Sequence, residues 1–179
     1  SLKSAKAVIK SIKNRYNVKL ADPCKNFFKI IESFKPDVIF NALHGRFGED
    51  GYIQSILETL RVKYTHSGVK SSMLAMDKEI SKKIFLKNKI LTPKYIKVNN
   101  NIKDLNYNKI KRYLGYPVVI KALGSAHKSE LGEVFLNLEN QKSVKNVLKK
   151  ISKKHVIVEK MIGDAVVELL VGIVHDPAH

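Results

Sequence analysis

The sequence predicts an α/β chain in two parts: a parallel α/β unit followed by an α+β lobe. Three observations carry this. Apolar strand-like runs alternate with helical patterns up to about residue 66, which implies a parallel sheet with helices on its faces. Pro93 then closes a helical stretch. Beyond it, short strands separated by turns read as an antiparallel sheet. The boundaries are therefore 1–70 for the first domain, 71–95 for a linker helix and 96–179 for the lobe.

Residue spacing places the elements. Leu2, Ala5, Ile9 and Ile12 share one helical face, and a short strand is expected at Val18 to Leu20. Phe27, Phe28, Ile30, Ile31 and Phe34 mark the next helix. Pro36 precedes an apolar strand, Asp37 to Leu43, which enters a loop with three glycines, His44-Gly-Arg-Phe-Gly-Glu-Asp-Gly51. A helix bearing Ile53, Ile56, Leu57 and Leu60 and a strand at Val62 to Tyr64 complete the unit. One helix is expected from about Ser71 to Asn88. The lobe is expected to hold a strand at Tyr95 to Val98, a helix to about Leu114, the strand Val118 to Lys121 and a polar loop from Gly124 to Gly132. Next come a strand in which Val134, Leu136 and Leu138 alternate inward, a lysine-rich helix, the strand Val156 to Glu159 and the strand Val166 to Val174.

Composition excludes several classes. The 179 residues are 44% hydrophobic and 27% charged, which suits a packed core rather than disorder. Glu159, Lys160, Asp164 and Glu168 interrupt the most apolar stretch, so nothing approaches the roughly 18 residues of a membrane span. A lone cysteine, Cys24, rules out an internal disulfide framework, and no secretory signal opens the chain, so a cytoplasmic protein is expected. The 33 basic against 16 acidic residues give a net charge of +17, yet only Arg15, Arg46, Arg61 and Arg112 are arginines. Base reading favours arginine for its planar fork, so lysines spread along the chain argue against a nucleic-acid partner. Lys142, Lys145, Lys149, Lys150, Lys153 and Lys154 lie opposite Val144, Val147, Leu148 and Ile151 and read as one solvated helix face.

The loop at 44–51 is the first candidate site. It lies at the carboxyl end of a buried strand and just before a helix, where open α/β sheets bind ligands through free N–H groups and the helix amino terminus. Its glycines allow tight turning, while His44, Arg46, Glu49 and Asp50 supply polar groups. The plain alternative is a surface turn. Lys121 is the second candidate, because a charged residue closing a buried strand is unusual. The six histidines show no metal-ligand spacing, and no phosphate-cradling GxxxxGK[ST] loop is present.

Phe40-Asn-Ala-Leu-His-Gly-Arg-Phe-Gly-Glu-Asp-Gly51 with Ile53-Gln54, and Tyr64-Thr-His-Ser-Gly-Val69 with Ala75-Met-Asp-Lys78, resemble the signatures of D-alanine–D-alanine ligases over about residues 1–96. Leu114-Gly-Tyr-Pro-Val-Val-Ile-Lys121, His127-Lys-Ser-Glu-Leu-Gly132, Val158-Glu-Lys-Met-Ile162 and Val167-Glu-Leu-Leu-Val-Gly172 resemble the ATP-grasp lobe of ADP-forming acyl-CoA synthetases over about residues 112–179. Both resemblances imply an ATP-grasp fold, with an α/β domain preceding lobes that clamp ATP. The first implies a ligase that joins two D-alanines through an acyl phosphate for peptidoglycan precursors. His44 would be catalytic and, with Gly45 and Glu49, would bind substrate. Lys78 and Lys121 would meet ATP phosphates, Glu159 and Lys160 would lie by adenine, and Glu168 would grip the ribose. Glu168 also reads as an edge carboxylate facing water. His127 and Lys128 would cover the phosphates. Mg²⁺ is the implied metal, with its ligands expected beyond His179. The chain is expected to be a fragment with little turnover by itself, and a homodimer stays open. The second resemblance implies a thiol as acyl acceptor instead of an amine.

Overall fold

Two periodicities in the sequence build two different sheets. The computed structural model describes residues 2–99, 105–123, 134–163 and 167. They fall into two compact units that divide at Thr92 and Pro93. Among the described residues no helix is long and apolar enough to cross a membrane.

The first unit contains α1 (Leu2–Ile12), α2 (Phe27–Phe34), β1 (Val38–Ile39), α3 (Tyr52–Thr59), β2 (Lys63–Tyr64), α4 (Val69–Met76) and α5 (Lys78–Lys87). β1 and β2 pair in parallel, with Val38 opposite Lys63 and Ile39 opposite Tyr64. Phe27, Ile53 and Leu57 form the core beneath them, joined by Ile31, Ile39, Leu43 and Val62. A strand expected over 37–43 thus shrinks to two residues. The cause is Asn41, whose Oδ1 accepts the Leu43 N–H at 3.0 Å while its own N–H donates to Thr65 Oγ1 at 3.2 Å. Side-chain bonding of this kind draws the backbone out of a ladder. The strand expected at Val18 to Leu20 does not form, and these three residues carry no ladder partner.

The single helix expected over 71–88 is two helices. Asp77 sits between them in extended conformation (φ −81°, ψ 106°), and its side chain caps α5 by accepting the Glu79 and Ile80 N–H groups at 2.9 and 3.0 Å. A short polar side chain that caps a helix cannot also continue the previous one. α5 reverses the usual distribution: Lys82 is buried and donates to Thr92 Oγ1 at 2.9 Å, while Ile80, Ile84, Phe85 and Leu86 are exposed.

The second unit contains β3 (Tyr95–Asn99), α6 (Tyr107–Lys109) running into a π-helical turn (Ile110–Leu114), β4 (Val118–Ala122), β5 (Val134–Leu138), α7 (Gln141–Lys150) and β6 (His155–Lys160). Its antiparallel sheet has the order β3-β6-β4-β5. One face carries Val118, Ile120, Ala122, Val156 and Val158, which pack with Leu105, Ile110, Leu114, Val144 and Leu148 from the helical segments. The expected inward alternation of β5 fails at Leu136, which is exposed. β4 and β5 lose register between Val118 and Ile120, and Asn137 adopts φ +54°. The extra residue forms a bulge that turns Phe135 rather than Leu136 toward the core. Asn140 caps α7 in a reciprocal box with Ser143.

These contacts have measurable consequences. Ile120 is fully buried at the centre of the second core, so Ile120→Ala should lower the stability of that unit by about 2–5 kcal/mol in urea unfolding. Tyr64 O–H donates to Glu58 Oε1 at 2.7 Å, and partial burial, reinforced by that carboxylate, pushes the phenol up to about 12 from 10.0. Between those values the folded state keeps a proton that the unfolded chain has released, so stability falls as pH rises through this window. Tyr64→Phe should flatten that fall when unfolding is monitored at pH 9 to 12.

Candidate functional site

In the first unit the chain leaves β1 and turns back on itself before α3. Gly45 O accepts the N–H groups of Gly48 at 3.1 Å and Glu49 at 2.8 Å. The return contact is a charge-assisted bond, with Gly45 N–H donating to Glu49 Oε2 at 2.7 Å. Glu49 Oε1 stands 3.7 Å from His44 Nδ1. The other ring nitrogen, Nε2, lies 3.2 Å from Ser4 Oγ of α1. The structure therefore brings His44, Gly45 and Glu49 together, with an imidazole and a carboxylate both about half exposed. Asp50 stays with the backbone: its carboxylate accepts Phe47 N–H at 3.0 Å and Tyr52 N–H at 3.2 Å. Arg46 lies over the Phe47 ring at 4.8 Å. Gly51 has φ +90°, and a Cβ there would meet Met73 Cγ at 2.6 Å, so glycine is required where α3 begins.

Three buried or half-buried polar residues hold this loop from behind. Asn41 Nδ2 and Gln54 Nε2 both donate to Gly48 O, at 2.8 and 2.9 Å. Thr65 Oγ1, which accepts Asn41 N–H, also bonds His66 Nδ1 at 2.8 Å. His66 has φ +84° and sets its ring edge-on to Phe40. Sequence reasoning assigns no role to Ser4, Asn41, Gln54 or Thr65. The available signals are an asparagine ending an apolar strand and a glutamine within an apolar helical face.

In the second unit, Lys121 and Glu159 share the sheet face opposite the helical core. Lys121 stands opposite Ile157, and Glu159 stands opposite Val119 two pairs further along. They are diagonal neighbours on adjacent strands, within reach of a long side chain. Lys121 Nζ donates to Glu159 Oε2. The Glu159 side chain is 4% exposed and that of Lys121 is 29%. An unpaired carboxylate at such depth would cost several kcal/mol, so the lysine neutralises it in place. Lys121 does not end its strand as expected, since β4 continues through Ala122, whose backbone pairs with Val156.

Lys160 closes β6 and reaches back over the turn that precedes β4, its Nζ donating to Tyr116 O at 3.4 Å. Its backbone N–H donates to Lys94 O at 2.9 Å. Lys78 is the first residue of α5, immediately after the Asp77 cap, and is exposed. Lys78 thus belongs to the first unit and Lys121, Glu159 and Lys160 to the second. Glu168, His127, Lys128, the loop from Gly124 to Gly132 and most of the strand expected at Val166 to Val174 lie outside the described residues.

Comparison with known proteins gives this arrangement a family. Residues 21–67 match the model of the D-ala D-ala ligase N-terminus, and residues 75–179 match that of the ATP-grasp domain. The description of the latter leaves the acyl-CoA synthetase likeness a resemblance only. The D-alanine–D-alanine ligase of Pelagibacter ubique (strain HTCC1062) is 63% identical over 125 residues, 69% of this chain and 41% of that protein. That of Clostridium botulinum (strain Eklund 17B / Type B) is 38% identical over 172 residues, 93% and 54% of the respective chains. A crystal structure of the Bacillus anthracis D-alanine–D-alanine ligase complexed with ATP superposes with a TM-score of 0.72 at 29% identity, covering 90% of this chain and 53% of that one. The chain spans about half the length of the curated relatives it matches. With more than half of its residues matched by that domain and its amino-terminal part by the ligase domain, the chain belongs to the ATP-grasp family.

Proposed function

We propose that the protein acts in the ATP-dependent joining of two D-alanines for peptidoglycan precursor synthesis. The observation that carries this reading is the convergence of His44, Gly45 and Glu49 on the loop at the carboxyl end of β1. That loop lies within the stretch matched by the ligase amino-terminal domain. The likeness to a ligase crystallised with ATP supports ATP as the phosphoryl donor.

In the reaction, a carboxylate oxygen of the first D-alanine attacks the γ-phosphorus of ATP, forming an acyl phosphate and releasing ADP. The amine of the second D-alanine then adds to the acyl carbon. The tetrahedral intermediate collapses with loss of phosphate, and the amine gives up a proton. His44 lies beside the first amino acid, where its ring can donate to the substrate carboxylate. Glu49 offers acceptor oxygens to an ammonium, and the Gly45 N–H becomes a donor when Glu49 turns to that ammonium. Lys121 has three N–H donors, of which the bond to Glu159 occupies one, so the others can meet phosphate oxygens. Lys78 is a second phosphate-side cation. Glu159, Lys160 and Glu168 serve the adenine and ribose. Mg²⁺ accompanies ATP in this proposal; the described residues gather no group of three His, Cys, Asp or Glu side chains to hold it. The site of action is the cytoplasm.

The test is thermal unfolding of the 179-residue chain with and without ATP. At one hundred times its Kd, ATP should stabilise the native state by about 2.7 kcal/mol. Lys121→Ala should abolish that gain. Because this variant removes a partner of a buried carboxylate, the double variant Lys121→Met/Glu159→Gln is measured beside it, and it too should show no response to ATP. An unchanged response in both variants sinks the role of Lys121. Absence of any response in the unaltered chain sinks ATP binding. D-alanine, added separately, should shift the backbone amide resonances of Gly45 and Glu49, and silence there sinks the amino-acid site.

A further inference from the structure

We propose that Asn41 and Gln54 are positioning residues for the His44–Glu49 pair, acting through the Gly48 carbonyl that both amides hold. The proposal rests on the reading of this loop as the amino-acid site and names what sets its geometry.

Gly48 O receives one N–H from Asn41 at 2.8 Å and one from Gln54 at 2.9 Å. Its two lone pairs are therefore filled from two different segments, the chain just after β1 and the first turn of α3. Both amides are buried, at 9% and 1% exposure, so neither bond competes with solvent. The backbone at Gly48 also passes close to Leu43. A Cβ at Gly48 would lie 2.4 Å from Leu43 Cβ and 2.9 Å from the Leu43 carbonyl carbon, so the loop already passes flush against itself.

Glu49 is the next residue in the chain, and its place is inherited from that fixed peptide. Its N–H donates to Gly45 O at 2.8 Å, and its carboxylate accepts Gly45 N–H at 2.7 Å beside His44 Nδ1. Asn41 carries the same constraint to β2, through its N–H on Thr65 Oγ1 and that hydroxyl on His66 Nδ1. A 1 Å error in such a loop is enough to misplace reacting groups.

Gln54 shows that placement, rather than packing, is what its amide supplies. Its Nε2 is engaged, whereas its Oε1 is buried without a hydrogen-bond partner. An orphaned buried acceptor is destabilising, and a methionine of similar length would fill the same space without it. The donor is the part of the side chain that does something methionine cannot.

The experiment uses the ¹⁵N-labelled 179-residue chain. The probe is the Gly45 amide, whose proton sits in the bond to Glu49 and so reports directly on the pair. Glu49→Gln defines the signature, because a neutral acceptor moves that proton upfield. Gln54→Met should move the Gly45 proton in the same direction and speed its hydrogen exchange several-fold, with the unfolding temperature unchanged or raised. The double variant Asn41→Ala/Gln54→Met, which leaves Gly48 O with neither donor, should lose protection at Gly45 by about tenfold or more. A Gly45 resonance identical to that of the unaltered chain in Gln54→Met would overturn the proposal, whatever happens to stability. Should the double variant fail to fold, the single one decides. Failure of D-alanine to shift Gly45 and Glu49 would overturn the amino-acid reading alone and leave the comparison of Gly45 resonances standing.

Discussion

A buried polar group must find a partner inside the protein, and that constraint organises both units. It is most severe at Glu159. The residue lies on an interior strand of a four-stranded sheet, between β3 and β4, and is itself buried. The Lys121 ammonium, two positions along the neighbouring strand, donates to that carboxylate and compensates its burial. With it, the face opposite the helical core keeps a fixed acceptor beside a cation whose remaining donors can turn outward. The two faces of this sheet therefore differ in chemistry: Val118, Ile120, Val156 and Val158 lie on the packed side, and Lys121 with Glu159, beside Tyr95 and Lys97 of β3, on the other.

In the first unit the same constraint acts on backbone groups. Where β1 ends, side chains take over from the ladder: Asn41 satisfies Leu43 N–H and Gly48 O, and Thr65 satisfies Asn41 N–H. Each of these bonds removes the chain from a regular element and commits it to a loop. Asp77 does the same between α4 and α5, and Asn140 does so ahead of α7. Short polar side chains thus define where elements stop, and the candidate loop is the place where several such stops coincide.

This explains which features can be read from the residues. β4, β6 and α7 are legible because their burial obeys a simple run or period, and the loop at 44–51 is legible because glycines and polar groups cluster within eight residues. The break at Asp77 is not, because its neighbours keep a helical apolar pattern, and only the competition of the Asp77 carboxylate for N–H groups overrides it. Leu136 is misplaced by its pattern because a bulge shifts register without altering alternation in the sequence. Contacts between residues far apart, such as Lys121 with Glu159 or Ser4 with His44, have no local signature at all. Asn41 and Gln54 are hidden for a related reason: each looks like a polar lapse in an apolar segment until the Gly48 carbonyl is seen between them.

The excess of cations takes on a different meaning in this setting. With 33 lysines and arginines and only 16 acidic residues, most ammonium groups cannot have a carboxylate of their own. Several settle instead on neutral acceptors and aromatic faces. Lys160 donates to the Tyr116 carbonyl, and Lys19, Lys94 and Lys145 lie over Phe34, Tyr113 and Tyr107 at 5.9, 5.7 and 5.1 Å. Each ring contact contributes about 0.5–1 kcal/mol when exposed, so these are accommodations rather than anchors. Against that background the pairing of Lys121 stands out, because it engages a carboxylate that is both scarce in this chain and buried. A lysine held in that way keeps its position without a ligand, which is the condition a phosphate-binding cation must meet if binding is not to cost the ordering of a flexible side chain.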